Sequence, residues 1–342
     1  MCGSSTSRAT PIVSKPRAPH WRRCVAPVVA LWAFAAAAAA SEAQDLVNAM
    51  VEATKTLNYD GLFVYQRDSQ LNTMRIIHKA AAGGDAESER LVSLSGPARE
   101  VVRDGAKVKC IFSDDKEVMV EKRQPRDFYA LGLSEPIAKL ADLYAFKPEG
   151  TERIAGRQTH IVGIIPRGAD RYGYRLWIDE DSKLLLKSAI LSREGRVLEQ
   201  VQFVQIAINE TIPDALLEAE LEGTGYTWYT GETETADAQA QPNQDWDVRW
   251  LPSGFELRNS QVQHLATSDG PVKHVVYSDG LAMVSVFVEK LMRKIHPFQG
   301  YSSLGAVNAF SRVADSYQIT VVGELPEPVV RHIATSVAFH SR

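Results

Sequence analysis

The sequence predicts a mainly β protein of two units: a large antiparallel sheet, curved or partly closed, followed by a smaller α+β unit. Three observations carry this expectation. From Tyr59 onward, apolar residues recur with period two in short segments. Turn signals such as Asp104-Gly105 and Asp114-Asp115 separate these segments at hairpin spacing. The stretch from Gly231 to Asp245 is acidic and polar, with almost no large apolar side chain, so it cannot bury enough surface to fold alone and reads as a linker.

The first element is a leader. Arg8, Lys15, Arg17, Arg22 and Arg23 precede an apolar run of 16 residues from Val25 to Ala40, and small residues offer cleavage points after Ala40 or Ala43. A basic start, an apolar centre and a small-residue exit are the marks of a secretory signal peptide. A spanning helix needs about 20 apolar residues, so the run predicts a cleaved leader, residues 1–41, and not an anchor. The net charge falls from −4 to −9 on cleavage, because residues 1–40 hold five basic residues and no acid. Such an acidic protein is a poor nucleic-acid binder, since that role needs clustered positive charge. Cys2 and Cys24 leave with the leader, and Cys110 remains as a lone thiol without an intramolecular disulfide.

Residues 42–57 read as a short helix, with Leu46, Val47, Met50, Val51 and Leu57 at helical spacing. Strands follow at Tyr59–Tyr65, Thr73–His78, Glu89–Leu94, Arg99–Arg103, Lys107–Phe112 and Glu117–Glu121, an antiparallel meander. Ser134–Tyr144 reads as a second helix, with Leu133, Ile137, Leu140 and Leu143 on one face and Pro136 in its first turn. The β pattern resumes at Arg153–Arg157, Thr159–Ile165, Tyr172–Ile178, Leu184–Leu191 and Val197–Ile208, with hairpin turns at 179–182 and 193–195. Beyond the linker, the turn at Leu251–Phe255 leads into strands at Leu257–Leu265, Val272–Tyr277, Leu281–Glu289 and Gln318–Val322. A final helix runs over Glu327–Phe339, with Val330, Ile333, Ala334 and Val337 inward. The expected organisation is therefore leader 1–41, first domain 42–225, linker 226–245 and second domain 246–342.

No arrangement for catalysis stands out, and the expectation is a binding protein without cofactor or metal. The eight histidines show no ligand spacing. Gly300–Gly305 comes nearest to a nucleophile elbow, with the wrong spacing. Asp179, Glu180 and Asp181 fall in a hairpin turn, where acids are solvated. Cys110 alternates with Val108 and Phe112 and reads as a small core residue. The strand aromatics Phe63, Tyr65, Tyr172, Tyr174, Trp177 and Phe203 are core candidates first. A curved sheet with few covering elements is also suited to enclosing an apolar ligand.

Several segments taken in order resemble the RseB/MucB family, periplasmic negative regulators of an envelope-stress sigma factor. They are Tyr59–Arg67 with Arg75–His78, then Glu89–Leu91 with Leu94–Gly96 and Arg99–Val101, then Arg153–Arg157 with Tyr172-Gly173-Tyr174-Arg175-Leu176-Trp177-Ile178-Asp179. In the second unit they are Leu251–Phe255, Tyr277–Ala282 with Ser285–Glu289, and Thr320–Glu324. The resemblance covers nearly all of the mature chain. Its one local departure is Pro166–Arg171, looser than the family's usual lead-in to the Tyr-Gly-Tyr strand.

The resemblance implies a first domain similar to the lipoprotein carriers LolA and LolB, a half-open β-barrel with a helical cover and an apolar cavity. It implies a smaller α+β second domain, a periplasmic location, and binding to the periplasmic segment of a membrane anti-sigma factor of the RseA or MucA type. Bound there, the protein would shield that segment from a DegS-type protease. Acyl chains of lipoprotein or lipopolysaccharide would release it, and a homo-oligomer is compatible with the family. The expected cavity residues are Phe63, Tyr65, Tyr174, Leu176, Leu185 and Phe203, and the expected partner-binding residues are Phe255, His274, Tyr277 and Phe287. The competing readings are a lipoprotein or lipid carrier of LolA type, which needs no second domain, and a hydrolase, which lacks a visible nucleophile and base.

Overall fold

The computed structural model describes residues 25–81, 87–122, 137–221, 223–231, 246–264, 270–291 and 298–340. The chain divides into two compact units, Met1–Ala39 and Ala40–Arg342. Among the described residues no helix is long and apolar enough to cross a membrane.

The first helix, α1, spans Val25–Thr56, so the helix expected over 42–57 is its C-terminal part. Ala43, Val47 and Met50 lie on one face and join the first core, the helical cover of the sheet. Asn58 ends the helix and ties three segments together: its side chain accepts from the Ala80 N–H (2.9 Å) and donates to the Glu210 carbonyl (3.2 Å), while its carbonyl accepts from Asn209.

The sheet then opens with β1 (Tyr59–Arg67), β2 (Gln70–Lys79), β3 (Ser88–Ser93), β4 (Arg99–Asp104), β5 (Lys107–Phe112) and β6 (Glu117–Lys122). After a single helical turn, α2 (Ile137–Leu140), come β7 (Tyr144–Ile154), β8 (Arg157–Pro166), β9 (Gly173–Asp179), β10 (Leu185–Leu191), β11 (Val197–Ile208) and β12 (Thr227–Gly231). The strand order is β12-β6-β5-β4-β3-β2-β1-β11-β10-β9-β8-β7. Two meanders are thus joined through the β1–β11 pair, and β7 and β12 remain as edges, so the sheet does not close.

The helix expected over 134–144 is corrected here. Residues 123–136 lie outside the described residues, Ile137–Leu140 forms the turn, and Tyr144 already belongs to β7. β7 escaped notice because its middle, Lys147–Arg153, is charged and exposed, with no period-two signal. Such an edge strand resists pairing with other chains. The strand expected over Arg153–Arg157 is instead the hairpin to β8: β7 ends at Ile154, the chain turns at Ala155-Gly156, both with positive φ, and β8 begins at Arg157.

The segment after β11 crosses the outer side of the sheet as a strap. The buried Arg90 donates to the buried Glu100 (3.1 Å), whose second oxygen accepts from the Glu220 N–H (2.9 Å). Thr227–Gly231, inside the expected linker, then adds to β6 as a parallel strand. Parallel pairing follows because the strap returns the chain to the end where β6 begins.

The second sheet holds β14 (Glu256–His264), β15 (Pro271–Ser278), β16 (Met283–Lys290), β17 (Gly300–Leu304), β18 (Val307–Ala314) and β19 (Tyr317–Gly323), in the order β14-β15-β16-β19-β18-β17. α3 (Glu327–Ser336) packs Val329, Val330, Ile333 and Ala334 into this core, and β13 (Trp246–Val248) pairs with β20 (Val337–Phe339) beside it. The expected final helix therefore stops three residues early, and Val337 is buried from a strand. Strands β17 and β18 were absent from the expectation, since Tyr301-Ser302-Ser303 and Asn308-Ala309-Phe310-Ser311 carry little apolar alternation.

Candidate functional site

The six expected cavity residues come from four adjacent strands, β1, β11, β10 and β9, and meet in one place. Phe63 and Phe203 pair directly across β1 and β11, edge to face, with centroids 5.7 Å apart. Gly61 makes room for them, because a Cβ there would lie 2.5 Å from Phe203 Cε1. Phe63, Tyr174, Leu176, Leu185 and Phe203 are each 0–3 % exposed and belong to a single core cluster, with Tyr65 half-buried at its rim. Side chains so fully enclosed are close-packed on one another. An acyl chain entering among them must displace them.

Tyr65 and Tyr174 carry hydroxyls to the edge of this core, where the second sheet begins. The Tyr65 hydroxyl donates to Glu199 Oε2 (2.6 Å), and Glu199 Oε1 accepts from the Ala306 N–H of the β17–β18 turn (2.9 Å). Beside it the Gly305 N–H donates to Asp68 (2.8 Å). Burial and then the Glu199 carboxylate push the Tyr65 hydroxyl far above its ordinary pKa, so it stays a donor. The Tyr174 hydroxyl is buried and has no hydrogen-bond partner among the described residues. Burial, followed by the charges of Glu324, Asp279 and Glu199, raises its pKa as well.

A second contact lies at Asp279. Its Oδ2 accepts from Tyr144 (2.9 Å) and from Arg171 Nε (2.7 Å), and its Oδ1 accepts the N–H groups of Leu281 and Ala282. Tyr144, Arg171 and Asp279 are all buried. Arg171 also bonds the Ser253 carbonyl and lies over the Phe255 ring at 5.3 Å. Burial disfavours the Arg171 charge, yet the Asp279 hydrogen bond together with Tyr144 and the charges of Asp279 and Asp170 outweighs that and raises its pKa. Between these two contacts Asn308 donates to the Tyr172 hydroxyl (2.8 Å) and to the Leu325 carbonyl (2.7 Å). The Pro166–Arg171 stretch, the sequence's local departure, thus delivers one of the main side chains of the junction.

The four expected partner-binding residues do not form one patch. Phe255 lies at the junction under Arg171. His274 and Phe287 pair across β15 and β16 and stack at 4.2 Å, with His274 bonded to Ser285 and Gln261; burial lowers its pKa. Tyr277 packs on the opposite face, against the second core. An odd separation along a strand puts His274 and Tyr277 on different sides. Sequence reasoning missed Tyr144, Arg171, Glu199, Asp279 and Asn308, polar side chains whose partners lie across the junction, and Gly305, which takes part through its backbone N–H.

The turn acids and the lone cysteine are placed as follows. Asp179 is not solvated: it is fully buried and takes both Arg157 nitrogens at 2.8 Å and the Ser182 hydroxyl at 2.6 Å, while Glu180 and Asp181 are exposed. Cys110 is partly buried against the first core. Among the described residues no group of three His, Cys, Asp or Glu side chains could hold a metal.

Sequence models of the MucB/RseB N-terminal domain and C-terminal domain match residues 42–221 and 240–338. The chain is 31 % identical over 304 residues to the sigma factor AlgU regulatory protein MucB of Pseudomonas aeruginosa, covering 87 % of this chain and 91 % of that protein. It is 28 % identical over 313 residues to the sigma-E factor regulatory protein RseB of Salmonella typhimurium, covering 90 % and 94 %. The solved complex of Pseudomonas aeruginosa MucA and MucB aligns with a TM-score of 0.68 at 30 % identity, over 88 % of this chain and 100 % of that one. A crystal structure of MucB with MucA(peri) aligns with a TM-score of 0.69. With both family domains matched, in order, over residues 42–221 and 240–338, the chain belongs to the MucB/RseB family.

Proposed function

We propose that the protein is an exported, periplasmic regulator that binds the periplasmic segment of a membrane anti-sigma factor of the MucA or RseA type. Bound there, it shields that segment from first-site proteolysis and so holds back the stress sigma factor. The observation that carries this reading is likeness over 88 % of the chain to a MucB solved together with MucA. Release follows when acyl chains of misplaced lipoprotein or lipopolysaccharide enter the first core, at Phe63, Tyr65, Tyr174, Leu176, Leu185 and Phe203. Burying a methylene contributes about 0.8 kcal/mol, so one chain brings on the order of 10 kcal/mol gross. Displacing an aromatic pair such as Phe63–Phe203 forfeits only about 1 kcal/mol beyond its area. A hundredfold loss of partner affinity needs about 2.7 kcal/mol of preference for the partner-free state.

The test is binding of the exported chain to a labelled anti-sigma periplasmic segment, with and without lipid A or a diacylated lipopeptide. Tight binding that lipid reverses is the expected result. Binding indifferent to lipid would keep the partner and remove the sensing role. Absence of binding at tens of micromolar would leave the lipid carrier as the better reading.

A further inference from the structure

We infer that Glu199 is the coupling residue through which the first core controls the attachment of the second sheet. This rests on the proposed entry of an acyl chain into the first core, beside the Phe63–Phe203 pair.

The register makes the argument. Phe63 pairs with Phe203, and one step outward on the same face Tyr65 pairs with Val201 and Arg67 with Glu199. The layer of side chains that must part for a ligand therefore runs directly into the Tyr65–Glu199 hydrogen bond. Glu199 is only 9 % exposed and uses both oxygens, one on the core side and one on the second sheet. It is a two-sided tie, and moving Tyr65 leaves it half-satisfied. The turn it grips is shaped for it. Gly305 has φ +62°, and a Cβ there would run into Glu199 and, at 2.5 Å, into Arg67. No other residue type gives that turn both the left-handed backbone and the space for the carboxylate. The Asp279 contact sits apart, on Tyr144 and Arg171, strands away from β1 and β11. Loss of the Glu199 tie thus loosens one end of the junction, leaving the Gly305 N–H to Asp68 bond as that turn's remaining link, while the Asp279 end keeps its buried pairs, which is the geometry of a hinge.

The experiment uses the full chain, expressed with its leader and purified after export. Spin labels go on Asp115→Cys in the first sheet and Thr335→Cys on α3, both exposed positions, in a Cys110→Ser background. The probe is an S-dipalmitoylglyceryl cysteine lipopeptide, whose binding is scored separately by a fluorescent analogue. In the parent protein, lipid should add a second label–label distance. Glu199→Ala, and from the opposite side Gly305→Ala, should show that second distance without lipid. Because the ligand no longer has to break the tie, Glu199→Ala should also bind lipid about tenfold more tightly, the equivalent of about 1.4 kcal/mol. Glu199→Gln should fall between. A residue serving stability alone would weaken lipid binding when removed. Lipid that binds while the distance stays fixed, or variants with the parent's distance and affinity, would overturn the coupling. If lipid does not bind at all, the sensing role fails first, and the coupling falls with it.

Discussion

At the scale of single residues, this protein stores its unusual energetics in buried carboxylates. Burial alone raises the Asp179 carboxyl, but the Arg157 guanidinium and the Ser182 donors outweigh it and hold its pKa below the ordinary value. A depressed carboxylate contributes stability that is complete above the unfolded value, near 4, and is lost as pH falls through the folded one. Asp179→Asn should therefore cost about 3 kcal/mol at neutral pH and progressively less below about pH 4. Denaturant titrations at pH 7 and pH 3 check this, and an equal cost at both would contradict it. Gly61→Ala offers a steric counterpart. Its Cβ meets the Phe203 ring and, at 3.1 Å, the Gln205 carbonyl. The expected cost is about 1–3 kcal/mol by overpacking, read in the same titration.

At the scale of elements, the strap and β12 form one construction. β12 is a short parallel edge strand with Trp228 and Tyr229 about half exposed, so its own packing is thin. The buried Arg90–Glu100 pair holds the strap that delivers it. Glu100→Ala leaves the buried Arg90 guanidinium with the exposed Glu220 and the Leu216 carbonyl, a loss of about 3 kcal/mol. Amide exchange over Thr227–Gly231 should then accelerate well beyond that of β4 and β5. Equal acceleration throughout the sheet would mean that β12 is held by its ladder with β6 and not by the strap.

At the scale of the whole molecule, both sheets lie within one compact unit, Ala40–Arg342. A single calorimetric transition is expected, since unfolding either sheet exposes the Arg171–Asp279 pair. Asp279→Ala strands a buried guanidinium and should cost about 3–5 kcal/mol, or roughly 5–10 °C in Tm. The double variant Arg171→Met, Asp279→Leu should recover most of that loss. Two resolved transitions in the parent protein would show that the sheets melt separately despite the contact.

The sequence by itself determined the β-rich class, most strand positions and the two-sheet division, because period-two alternation and turn chemistry are local. Lys107–Phe112 and Val197–Ile208 are read from sequence with the bounds they have in the structure. Of the six residues expected at a cavity, Phe63, Tyr174, Leu176, Leu185 and Phe203 are buried in one core and Tyr65 lies half-buried beside them; strand parity and apolar character mark an inner face, not a cavity. Only the tertiary structure decided what joins the sheets. Tyr144, Arg171, Glu199 and Asp279 carry no periodic signal, and their partners are up to 135 residues away in sequence. A polar residue reads as solvent-facing until the fold supplies the group that satisfies it. For the same reason β17, β18 and β12 were invisible locally: their stability comes from neighbours and a strap that only the folded chain assembles.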